Sequence, residues 1–205
     1  MGRPVDPKTR ANLLQRIIDR LAVSGLGGVT LRGVAKALDV TPPGLLHHFG
    51  SKTGMITAVI DELEREQMEV IEQTSAEGFS LEHFVRDLWA VQSSERELAR
   101  IRLQLEAVTL DATETGLPGP VRARVMAVWV EAIARNLEAQ GYDRATARNN
   151  ATLVHAAFVG LLMDLLATGD CERLDAACEE LARIARTIDR QAPGAGPVGP
   201  RAAAV

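Results

Sequence analysis

Few side chains in this 205-residue chain carry reactive chemistry, and their spacing works against most of it. His47 and His48 are adjacent, and neighbours on a helix point about 100° apart rather than at a common ion. No acid or cysteine accompanies them between Thr41 and Lys52, and only His83 and His155 remain, so a zinc site is poorly supplied. His155 and Asp164 stand nine apart in one apolar stretch, about two and a half helical turns, too far to act together. Cys171 and Cys178 are separated by about 10 Å of helical rise and cannot bond within that helix, which fits a reduced, cytoplasmic protein. Gly-rich phosphate loops, a nucleophile elbow and paired carboxylates in a recognisable setting are all missing from the sequence. No catalytic residue, metal or cofactor is therefore expected. What remains is hydrogen bonding and positive charge near the start of the chain.

That chemistry sits on two short helices joined by a tight turn, Thr30 to Lys52. Thr30 can cap the first, with Leu31, Val34, Ala35 and Leu38 as its apolar face. Asp39-Val40 makes the turn. Thr41 caps the second helix, and Pro42 occupies its first position, where a missing N–H costs nothing. Leu45 and Phe49 point inward, leaving Pro42, Pro43, Gly44, Leu46 and His47 outward. This is the plan of a helix-turn-helix, whose second helix enters the DNA major groove.

The segment resembles the TetR family of transcription regulators at Val29-Thr30, Val34-Ala35, the Gly-free Asp39-Val40-Thr41 turn, Leu45, His48-Phe49 and Ser51-Lys52. The motif resemblance runs from about residue 8 to 63, and beyond it only helix order and length are similar. It implies DNA contact by Thr30, Arg32, Thr41, Pro42, Pro43, Gly44, Leu46, His47, His48 and Lys52, with Arg3 on an arm able to enter a minor groove. Thr30, the two histidines and Lys52 would grip phosphates, and Thr41 with Pro42 to Gly44 would lie over base edges. Arg10, Arg16 and Arg20 read as ordinary solvated charges. Where the family commonly carries a lysine and a phosphate-reaching tyrosine, this chain has Pro42 and Leu46. Specificity is then expected from thymine methyls, close backbone approach at Gly44 and DNA shape.

Charge supports this placement. Formal net charge is −4, yet residues 1–52 carry eight Lys/Arg against three Asp, and the remainder holds 15 basic and 24 acidic residues. Attraction to phosphate is local and screened within about 8 Å, so a basic end can bind while an acidic body stays soluble.

The fold class expected is all-α with about nine helices: residues 1–52 as a three-helix DNA-binding domain, a connecting helix 51–73, a helical ligand-binding and dimerisation domain 74–190, and a disordered tail 191–205 rich in Pro, Gly and Ala. Asp6-Pro7 starts the first helix, and Ser94 to Glu97 reads as a capping box. The N-terminus shows no secretory signal, and Ala151 to Ala167, interrupted by Thr152, His155 and Asp164, reads as a buried helix rather than a membrane span.

The resemblance implies a pocket in the body, for which Phe84, Leu88, Trp89, Gln92, Gln104, Met126, Trp129, His155, Phe158 and Met163 are candidates. It also implies a homodimer, with Leu153, Ala157, Gly160, Leu161, Leu174, Cys178 and Leu181 as candidate interface residues. The expected function is a cytoplasmic repressor that binds a palindromic double-stranded operator and is released by a small apolar or amphipathic effector, with helix four as the lever. A ligand-independent architectural DNA binder is the main alternative, and a helical enzyme a more distant one.

Overall fold

In a computed structural model of the chain, residues 7–74, 79–110 and 116–194 are described. Nine α-helices and no strand occur among them: α1 (Pro7–Ser24), α2 (Leu31–Ala37), α3 (Pro42–Phe49), α4 (Lys52–Thr74), α5 (Leu81–Gln92), α6 (Glu95–Thr109), α7 (Gly119–Ala139), α8 (Arg144–Thr168) and α9 (Cys171–Gln191). They form two compact units, one made of residues up to Val70 with Ser94–Val128, the other of Ile71–Ser93 with Trp129 onward. This partition differs from the expected 1–52 and 74–190, because α6 shares its core with α1.

The first unit is built on α1. Its residues Ile17, Ile18 and Leu21 are fully buried, together with Leu26, Leu45, Met55, Ile56, Val59 and Ile60, and Leu103 and Ala107 of α6 close the same core. Each fully buried Leu or Ile contributes roughly 1.5–3 kcal/mol. Polar contacts fix the register of α6 on α1. Arg102 donates to the carbonyls of Ala22 and Val23, both at 3.2 Å, at the end of α1 where helical acceptors have no partner. The carboxylate of Glu106 accepts the Leu26 N–H just beyond, against Gly25 at φ +76. Gly54 is required where α3 turns into α4, since a Cβ there would lie 2.2 Å from the Phe49 carbonyl oxygen.

In the second unit α5 and α9 run antiparallel, joined from end to end by polar pairs. Asp189 accepts the N–H groups of Leu81 (2.9 Å) and Glu82 (3.0 Å) and the Ser80 hydroxyl (2.9 Å), so the end of α9 caps the start of α5. Glu82 pairs with Arg186 and Arg86, Arg86 with Glu179, and the Trp89 indole N–H donates to Asp175 at 2.7 Å. These guanidiniums hold the Glu82 carboxyl down at about 2. α8 starts at Asp143, whose side chain accepts from Ala145 and Thr146, and stops at left-handed Gly169.

Several expectations change here. α6 begins where expected, but Ser94 makes no side-chain cap bond, so the capping box is not formed. Residues 191–194 of the expected disordered tail are placed against the body: Gln191 ends α9, Ala192 is buried and the Gly194 N–H donates to the Gln140 carbonyl at 2.9 Å, while residues 195–205 lie outside the described residues. Asp6 and residues 75–78 and 111–115 also lie outside them. α8 is less buried than its sequence suggests. By length and composition it is apolar enough to cross a membrane, and only 28% of its most apolar window is buried.

Candidate nucleic-acid interface

Both short helices are set by the expected caps. The Thr30 Oγ1 accepts the Gly33 N–H at 3.0 Å and the Thr41 Oγ1 accepts that of Gly44 at 3.1 Å. An oxygen used this way keeps its own O–H for another acceptor, such as a phosphate. Asp39 takes the left-handed conformation at φ 53, and the Val40 N–H returns to the Ala35 carbonyl, so the turn closes without glycine. Val34, Ala35, Leu38, Leu45 and Phe49 are buried as their spacing requires.

The outward face is as sparse as the sequence indicates. Thr41, Pro43, Leu46 and His47 are exposed and Pro42, Gly44 and His48 half-buried. Thr30 and Arg32 are exposed beside it, and Lys52 is half-buried at the first position of α4, after Ser51, whose Oγ accepts the Gly54 N–H at 2.9 Å. Arg3 lies outside the described residues. The His47 and His48 rings are 5.5 Å apart and tilted by 68°, and His48 Nδ1 is buried without a hydrogen-bond partner. No group of three His, Cys, Asp or Glu able to hold a metal occurs among the described residues.

Two arginines read as solvated charges also bond into the fold, Arg10 half-buried and Arg16 exposed. Arg16 donates to the Leu38 carbonyl at the end of α2. The Arg10 guanidinium lies 5.2 Å from the centre of the Phe49 ring, and its Nε is 3.5 Å from the His48 carbonyl. Together they brace both helices of the motif from α1. No local sequence signal marks them, since the partners lie 22 and 38 residues away. Between α1 and α3 is a groove of about 430 Å³, lined by Lys8, Thr9, Asn12, Leu13, Arg16, Val40, Gly44 and His48.

The candidate pocket residues divide. Gln104 and Met126 belong to the first unit, where Gln104 accepts from Gln67 at 2.6 Å. In the second, Phe84 meets Trp129 (6.2 Å between rings) and Trp89 meets Phe158 edge-on (5.9 Å). Leu88, Gln92 and His155 are buried, and burial holds the His155 imidazole down at about 4. Met163 is 49% exposed, on the open side of α8 with Leu153, Ala156, Ala157 and Gly160. Of the candidate interface residues, Leu153, Ala157 and Gly160 are exposed and Leu161 is half-buried. Leu174, Cys178 and Leu181 are not available to a partner, because they are buried within their own unit. Burial pushes the Cys178 thiol up to about 11.

A capped helix-turn-helix with a basic surround defines a DNA-binding class of fold. The profile described as bacterial regulatory proteins, tetR family, matches residues 15–59, the segment carrying this motif. Among curated proteins it is 30% identical over 129 residues to the HTH-type transcriptional regulator BetI of Paraburkholderia xenovorans (strain LB400), covering 60% of this chain. The matched segment spans only 54% of that relative's length. In fold it resembles Salmonella enterica GusR (TM-score 0.70, 20% identity, 92% of this chain and 100% of that one). It also resembles the multidrug binding protein EbrR, solved with imidazole (TM-score 0.64, 23% identity, 87% and 90%).

Proposed function

We propose that the protein is a ligand-responsive transcriptional regulator, acting as a repressor that holds a palindromic operator as a homodimer and leaves it when a small apolar or amphipathic effector binds. The observation that carries DNA binding is the doubly capped α2–turn–α3 with its outward Pro42, Pro43, Gly44, Leu46 and His47, braced by Arg10 and Arg16. The family match over residues 15–59 and the likeness to an HTH-type transcriptional regulator support transcription regulation as the use of that binding. The DNA-contact roles expected of Thr30, Arg32, Thr41, His47, His48 and Lys52 are part of this proposal. Few hydrogen-bonding groups face outward, so selectivity rests on methyl contacts, DNA shape and the spacing of two half-sites about 34–36 Å apart.

The dimer is argued from α8. Its buried stripe, Ala147, Ala151, Val154, His155, Phe158, Leu162 and Leu165, belongs to the core of its own unit. The opposite stripe of Leu153, Ala156, Ala157, Gly160 and Met163 is apolar and open, and Ile184 of α9 is 54% exposed. A second copy suits this face better than lipid, because half of α8 is already committed to a folded unit and small residues allow close helix approach. A cytoplasmic location goes with this reading.

Release by a ligand requires that the effector bind one conformation better than the DNA-competent one. α4 has residues in both units and is the proposed coupling element. EbrR, of the same fold, is a multidrug binding protein solved with imidazole, so the fold is compatible with small-molecule binding. The test is operator binding by the full chain across a salt series. Affinity should fall steeply as salt rises, because phosphate contacts release counterions, and a flat response would refute the proposal.

A further inference from the structure

The first unit holds a polar cluster that the helix-turn-helix does not use. Glu64 and Gln67 stand three apart on α4 and so share a face, flanked by buried Ile60 and Leu63. Arg124 of α7 donates to Glu64 Oε2 at 2.6 Å and also reaches Asp61. Gln67 Nε2 donates to Gln104 of α6 at 2.6 Å. On the same α6, Arg100 is 6% exposed, ion-paired with Glu66 and 3.8 Å from Glu97. Two acceptors are left over: Glu64 Oε1 and Gln67 Oε1 are both buried without a hydrogen-bond partner, and Glu64 is only 8% exposed. A buried acceptor without a donor is costly, more so on an ionised carboxylate. Burial raises the Glu64 carboxyl above its ordinary range even though Arg124 opposes this. The cluster also keeps a surplus of two carboxylates, Asp61, Glu64, Glu66 and Glu97 standing against Arg100 and Arg124.

We infer that Glu64 and Gln67 form the polar end of an effector site and that the effector is an amphiphile bearing a primary ammonium group, whose N–H bonds go to these two oxygens. The inference rests on the ligand-responsive function proposed above and assigns its ligand class. A primary ammonium has three donors and no acceptor, and its charge meets the acidic surplus. A quaternary ammonium has the charge but no N–H, and a carboxylate would add like charge to the cluster.

The experiment is calorimetric titration of the full chain with octylammonium, octyltrimethylammonium and octanoate, each also added to the operator complex. Octylammonium should bind at least about tenfold more tightly than the other two, the scale of one charge-assisted hydrogen bond. Glu64→Gln, which can still accept from Arg124, should weaken octylammonium about tenfold. Gln67→Leu should weaken it several-fold and leave octyltrimethylammonium unchanged. Equal binding of the two ammonium ions, no octylammonium binding, or no response to Glu64→Gln in a variant with unchanged helicity would overturn the inference. So would a refined structure with the Gln67 amide nitrogen turned onto Glu64, closing the cluster internally. Operator release by octanoate alone would remove the ammonium class and keep the regulator reading. Octylammonium binding at Glu64 without operator release would keep the site and remove the proposed regulation.

Discussion

The α2–α3 segment and the α8–α9 hairpin solve the burial problem in opposite ways. α2 and α3 are seven and eight residues long, too short to hold themselves together, and depend on caps at Thr30 and Thr41, a left-handed Asp39 and arginine braces from α1. Nearly every apolar side chain in them has one place to go. α8 and α9 are 25 and 21 residues long, with apolar residues on more than one face, and each divides them between its own core and an open side. Short helices leave little choice about which face is buried, whereas long apolar ones leave a choice that only their neighbours make.

The largest test of this contrast is within the hairpin. Leu174→Ala should cost about 2–5 kcal/mol in chemical unfolding, the scale of a core cavity, and leave the solution mass unchanged. If it instead converts a dimer to a monomer with little loss of chain stability, the division of α9 drawn above is wrong.

Acid titration sharpens the same point. His155 is buried neutral, with its folded pKa depressed to about 4 from 6.5, so the unfolded chain binds the extra proton between these values. Stability should therefore fall as pH drops from about 6.5 towards 4, by on the order of 3 kcal/mol. His155→Phe should flatten that window. Glu82, held at about 2, acts in a lower window: its stabilising contribution is lost as pH falls from about 4.5 towards 2. A melt series of His155→Phe that keeps the full slope between pH 6.5 and 4 would count against the buried side of α8.

On the open side, Gly160→Glu places a charge in the proposed interface without touching a core residue. Light scattering should report a monomer, and operator affinity should fall roughly a hundredfold as the second half-site ceases to be linked to the first. A variant that remains dimeric would point to another dimer surface. Smallest is the cap of the recognition helix. Thr41→Ala should cost about 1 kcal/mol of stability and a further few-fold in operator binding at low salt. A loss confined to DNA binding would mean that Thr41 matters as a contact rather than as a cap.

The same contrast explains what was legible in advance. Caps, turn and inward positions of residues 30–52 are local features, and they fall where the spacing placed them. The bonds of Arg10 and Arg16 were not legible, because nothing nearby in sequence reveals a carbonyl 22 to 38 residues away. The clasp of Glu106 and Arg102 on the end of α1 is longer in range still, about 80 residues. Ser94 to Glu97 shows the reverse failure: a capping-box pattern was present, but the side-chain cap bond was not made.

By itself the sequence determined the helices, their caps and the sparse face of α3, because those follow from dihedral preferences and three- to four-residue spacing. Only the tertiary structure decided that α6 shares its core with α1, that Leu174, Cys178 and Leu181 face inward while Leu153 and Met163 face out, and that Glu64 and Gln67 keep unpaired oxygens. Each of those is set by which distant helix lies alongside, and helical periodicity specifies that a face is apolar without specifying what covers it.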